Sequence, residues 1–103
     1  MNGAESFRAL ARTLLAQPDV EEGTGFGSRP GLRVQGHIFA MLIDGALVVK
    51  LPAHRCTVLV ATHTARPFDR GQNRPLKEWV VVSESHQWQW RGLAQEAIAY
   101  VRR

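Results

Sequence analysis

The chain has 103 residues and a net charge of +4, from thirteen Lys and Arg against nine Asp and Glu. That length holds one domain, residues 1–103, and a composition 45% hydrophobic and 21% charged is that of a packed chain, which excludes general disorder. A single cysteine, Cys56, excludes an intramolecular disulfide, and no apolar run approaches the ~20 residues of a membrane span.

Residues 3–17 read as a helix: Phe7, Leu10, Ala11, Leu14 and Leu15 fall on one face, and Pro18 ends the pattern. Residues 19–31 hold four glycines and read as a connection. A hairpin series follows. Leu32 and Val34 alternate with Arg33, Gln35-Gly36 is a turn, and His37–Ile43 is a second strand. Asp44-Gly45 is the strongest hairpin signal, because a type I′ turn needs the positive φ that Asp and Gly tolerate. Ala46–Leu51 is a third strand. The second strand is apolar on both faces, so it belongs at the centre of a sheet covered on both sides.

Pro52 suits a first helical turn, and His54 to His63 reads as a short helix. Residues 64–77 are polar and rich in turn formers, with a brief strand at Pro67-Phe68. Glu78–Val82 is a clearer strand. After Ser83-Glu84-Ser85-His86, the spacing of Trp90, Leu93, Ala94, Ala97, Ile98 and Val101 predicts a last helix, with Ser83 or Ser85 as its cap. The order is helix, three-strand antiparallel meander, helix, two strands, helix. Such a grouping predicts a single small α+β domain.

Little in the chain points to catalysis. His37, His54, His63 and His86 are scattered, and no HExxH, CxxC or paired Cys/His spacing offers a zinc site. Cys56 lies two residues from His54, a spacing at which helical side chains do not face each other, so it reads as a buried structural thiol. Ser28 lacks the context of a nucleophile elbow. The glycines at 23, 25 and 27 match neither phosphate-binding fingerprint and precede a strand instead of a helix. No enzyme activity, cofactor, metal or small-molecule substrate is expected. The N-terminal segment lacks the basic-then-apolar pattern of a signal peptide, so a cytoplasmic location is expected.

The charge is local. Residues 1–49 carry four basic and five acidic groups, residues 50–77 six basic against Asp69 alone, and residues 78–103 three of each. Within the basic quarter, Arg66, Arg70, Arg74 and Lys77 stand on a loop punctuated by Pro67, Gly71 and Pro75. Loops of this kind clamp phosphates and reach into grooves. These four are the candidate nucleic-acid contacts, with Arg33 and Lys50 in support and double-stranded DNA as the partner. An arginine-solvated surface is the plainer reading of the same excess. Trp79 reads as core, and Trp88, off the apolar stripe, as exposed.

Several words of the chain resemble the MmcQ/YjbR family and the related N-terminal domain of the TfoX/Sxy competence regulators. They are Glu22-Gly23-Thr24, Phe26-Gly27, Leu32-Arg33-Val34-Gln35-Gly36-His37-Ile38-Phe39-Ala40, Leu47-Val48-Val49-Lys50-Leu51-Pro52, Pro67-Phe68, Arg74-Pro75-Leu76-Lys77-Glu78-Trp79-Val80 and the terminal Trp90 to Val101 helix. His37 stands where such sequences commonly carry lysine. The resemblance covers the chain from about residue 19. It implies a fold similar to the secretion chaperones, a DNA-binding label, a bacterial origin and no catalytic residues. The alternative is an interaction or adaptor module. A sheet apolar on both faces with three short helices would leave one face to be covered by a homodimer or a partner protein.

Overall fold

The computed structural model describes residues 1–25, 27–69 and 74–102. Along them run α1 (Gly3–Leu14), β1 (Val20–Thr24), β2 (Pro30–Val34), β3 (His37–Ile43), β4 (Ala46–Lys50), α2 (Ala53–Ala61), β5 (Arg66–Asp69), β6 (Pro75–Val82), a 3-10 segment (Glu84–Gln89) and α3 (Trp90–Val101). The six strands form one antiparallel sheet in the order β1-β2-β3-β4-β6-β5. The α+β class expected from the sequence is the observed one.

Local chemistry explains most boundaries. Asn2 accepts the Glu5 N–H at 2.8 Å while the Glu5 carboxylate accepts the Asn2 N–H at 3.3 Å, a capping box that starts α1. The helix ends at Leu14, three residues short of the expected stop, in a turn where Gln17 N–H bonds back to Leu14 O. Asp44 and Gly45 take φ of 51° and 78°, as a type I′ hairpin requires. The 19–31 segment differs from expectation, since Val20–Thr24 is an edge strand. Its Glu21 and Glu22 are both exposed, so no alternation marks it, and pairing with β2 from Val20↔Val34 to Thr24↔Pro30 holds it. The last helix starts at Trp90, after a 3-10 segment, and the Ser83 hydroxyl does not cap it but meets Ser85 Oγ at 2.7 Å.

All three helices pack on one face of the sheet. Phe7, Leu10 and Leu14 of α1, Cys56 and Leu59 of α2, and Trp90, Leu93, Ala97 and Ile98 of α3 meet Leu32, Phe39, Leu47, Val49, Val80 and Val82. β3 carries one extra residue there. Leu32 pairs with Ala40 but Arg33 with Ile38, and the unpaired Phe39 joins Ala40 in the helix-side core.

The other face carries a second core of Met41, Ala46, Val48, Phe68, Trp79 and Val81, with no helix over it. Met41 and Val48 are nonetheless fully buried. Gly25 N lies 3.1 Å from where a Gly31 side chain would begin, and a side chain on Gly25 would collide with Met41 Sδ. Glycine at both positions thus lets Met41 lie against the backbone of the β1–β2 end. The six residues of this second core are all buried within the single chain.

The start of α1 is equally tight. A Cβ on Gly3 would lie 2.6 Å from Gly45 C and 2.9 Å from Gly45 Cα in the β3–β4 turn. Helix propensity favours Gly→Ala by ~1 kcal/mol, whereas overpacking against backbone costs about 1–3 kcal/mol or more. Gly3→Ala is therefore expected to lower the melting temperature. A raised one would show that the turn yields.

Candidate nucleic-acid interface

The basic segment folds as the β5–β6 hairpin at one edge of the sheet. Its register runs Arg66↔Val81, Pro67↔Val80, then jumps to Phe68↔Leu76 and Asp69↔Pro75. The β5 register thus skips residues 77–79, and the bulge sends both Leu76 and Trp79 toward the second core. Pro67 brings no N–H to the edge, which blunts β5 against strand addition. The hairpin presents side chains in place of a free backbone.

Arg66, Arg74 and Lys77 are exposed and make no ion pair among the described residues. Arg66 stands opposite Val81, and Arg74 directly precedes Pro75 at the other end of the β5 ladder. The four residues Arg66–Asp69 span about 10 Å. Cations that far apart can sit on separate phosphates of one DNA strand. Arg70 lies outside the described residues.

The other two candidates sit elsewhere. Arg33 is on β2, three strand spacings or about 14 Å from β6. It donates through Nη2 to Thr24 O at 3.2 Å, and its Nε, buried and without a hydrogen-bond partner, would lie 2.7 Å from a Cβ on Gly23. Its guanidinium is folded along its own hairpin. Lys50 does pair alongside the basic hairpin, opposite Trp79, but its Nζ is 3.8 Å from Glu78 Oε1.

Elsewhere three cations are paired, while Arg8, Arg12 and Arg91 are exposed and make no ion pair among the described residues. Arg29 meets Asp44 at 3.9 Å, Arg55 meets Glu96 at 2.9 Å, and Arg102 meets Asp19 at 2.8 Å. The Arg102 guanidinium, bonding both Asp19 oxygens, holds that carboxyl below the usual carboxylate range. The hairpin cations Arg66, Arg74 and Lys77 differ from the three paired ones in making no ion pair among the described residues, although Asp69 and Glu78 share their two strands.

Trp79 is core, at 7% exposure, and Trp88 is 76% exposed, as the sequence suggested. Trp88 does not flank the hairpin. It borders a groove with Ala9, Leu10 and Thr13 of α1. Cys56 is buried with Sγ 3.6 Å from Leu51 O, and burial pushes its thiol up, away from a nucleophilic thiolate.

The fold also gathers residues that sequence spacing kept apart. Pairing of β5 with β6 places His63 and Thr64, which follow α2, beside Arg66, Ser83 and His86 around one shallow depression. No motif spacing could have joined His63 and His86 before the hairpin register was known. No family model, no curated protein and no solved structure matches the chain.

Proposed function

We propose that this chain is a non-enzymatic, cytoplasmic DNA-binding domain of the MmcQ/YjbR type that grips duplex phosphates through the β5–β6 hairpin. The observation that carries the reading is the gathering of exposed, unpaired cations on one hairpin. Arg66, Arg74 and Lys77 have no carboxylate partner among the described residues, while Arg29, Lys50, Arg55 and Arg102 each have one; Arg8, Arg12 and Arg91, also exposed and unpaired, lie on the helices. A cation already paired gains little from a phosphate, whereas an exposed unpaired one releases condensed counterions when it binds. The resemblance to MmcQ/YjbR and TfoX/Sxy words supports the same reading, since the words Pro67-Phe68 and Arg74-Pro75-Leu76-Lys77 lie on this hairpin.

The alternative, an adaptor or dimer, keeps one specific support. Beside the apolar sheet face, a surface for it is the α1 groove bordered by the exposed Trp88.

Two triple variants separate the readings by fluorescence anisotropy on a labelled random duplex at low salt. Arg66→Ala/Arg74→Ala/Lys77→Ala and Arg8→Ala/Arg12→Ala/Arg91→Ala remove the same net charge. The hairpin triple is expected to lose on the order of tenfold or more in affinity, and the control triple only a few-fold. Equal losses would reduce the interaction to net charge and remove the hairpin from it.

A further inference from the structure

The depression beside Arg66 has a volume of about 200 Å³ and is lined by His63, Thr64, Arg66, Ser83 and His86 among its polar residues. No Asp or Glu lines it. At ~30 Å³ per water it has room for a four-oxygen anion together with part of its hydration.

The local backbone sets its walls. His63 takes φ of 61° just beyond α2, and Thr64 and Ala65 N–H groups both bond Leu59 O, which turns the chain sharply into β5. On the far side, Ser83 O accepts from His86 N–H at 3.0 Å and from Trp90 Nε1 at 3.3 Å, so the end of β6 is held by a backbone and a core contact. His86 adopts a non-helical φ of −111° within its 3-10 segment. Its Nδ1 meets Ser83 Oγ at 3.3 Å and Ser85 Oγ at 3.4 Å. The tautomer in which Nδ1 accepts from a hydroxyl carries its ring proton on Nε2, which has no partner among the described residues. Glu84, the nearest acid in sequence, is drawn away to the Gly3 N–H at the start of α1.

We infer that this depression binds a phosphate monoester group, with Arg66 supplying the fixed charge and the imidazoles of His63 and His86 supplying donors. A metal ion fits poorly, because the lining offers two imidazoles and no carboxylate or thiolate. A guanidinium flanked by neutral donors instead matches an anion with several free oxygens. The inference rests on the DNA-binding reading only for one source of that group, a 5′-phosphorylated strand end; a free phosphate ester is the other.

Proton NMR of the intact chain tests it, because His37 and His54 lie outside the depression and serve as internal controls. On titration with inorganic phosphate, the ring signals of His63 and His86 are expected to shift saturably, with Kd on the order of 1 mM. His37 and His54 should stay in place, and Arg66→Ala, at an exposed edge position, should abolish the shifts. Sodium chloride at equal ionic strength controls for screening. Four rings moving together, or none, would overturn the site. A second arm compares duplexes with 5′-phosphate and 5′-hydroxyl ends. A preference for phosphate that Arg66→Ala removes identifies the strand end as the source. Indifference with the NMR shifts intact assigns the site to free esters. Phosphate shifts in a protein that binds no duplex would sink the DNA reading and leave the subsite standing.

Discussion

Trp90→Ala is expected to remove about 3–5 kcal/mol of stability, a large share of the roughly 5–15 kcal/mol that holds a domain together. Trp90 opens α3 at 2% exposure and heads the fully buried side chains by volume. It packs in the helix-side core shared by α1, α2 and α3, so truncation leaves a cavity that three helices and the sheet would have to close together. Its Nε1 also donates to Ser83 O, and the carbonyl would keep only the His86 N–H. Trp90→Phe separates the two losses. It keeps most of the ring volume and removes the donor, and is expected to cost nearer 1 kcal/mol. Urea unfolding reads both variants as a shift in midpoint at unchanged slope. An Ala variant within 1 kcal/mol of the parent would mean that this indole does not organise the core.

Salt should act as strongly on binding as Trp90 does on folding. Three phosphates neutralised by Arg66, Arg74 and Lys77 give a slope of log K against log salt of about −2.7. Between 50 and 200 mM salt the affinity then falls about 40-fold. Had all six cations read from the sequence bound phosphates, the slope would double and the loss would approach 2,000-fold. The structure takes two of the six out, because Lys50 lies 3.8 Å from Glu78 and Arg33 is turned to Thr24; Arg70, outside the described residues, would as a fourth contact raise the slope to about −3.6 and the loss to about 150-fold. A loss below about fivefold would leave one phosphate contact or fewer and contradict the hairpin grip.

Much of the fold was legible because it is written in short-range chemistry. Periodicity marked α1 and α3, Asp44-Gly45 marked a hairpin, and the doubly apolar His37–Ile43 marked a central strand whose Phe39 and Met41 are fully buried. β1 was illegible for a physical reason. Glu21 and Glu22 face water on an edge, so pairing to β2, a long-range fact, makes the strand. The approach of Met41 to the β1–β2 backbone was hidden likewise, since it depends on the side chains that Gly25 and Gly31 lack.

The candidate site divides along the same line. That Arg66, Arg74 and Lys77 share one segment is visible in the sequence, but sheet order alone separates Arg33 from them. Proximity of Lys50 to Glu78 requires β4 to pair with β6 across the intervening α2 and β5, which no local pattern announces. Trp88 was read as exposed and is, yet the groove it borders belongs to α1 and not to the basic hairpin.

The most direct test is a ¹H–¹⁵N amide spectrum recorded with and without a random-sequence duplex at low salt. Hairpin binding requires the largest shifts at Arg66–Asp69 and from Arg74 through Lys77, with Ala9, Thr13 and Trp88 unmoved. Shifts confined to the α1 groove around Trp88, with the hairpin amides still, would contradict the hairpin and place any contact on that groove.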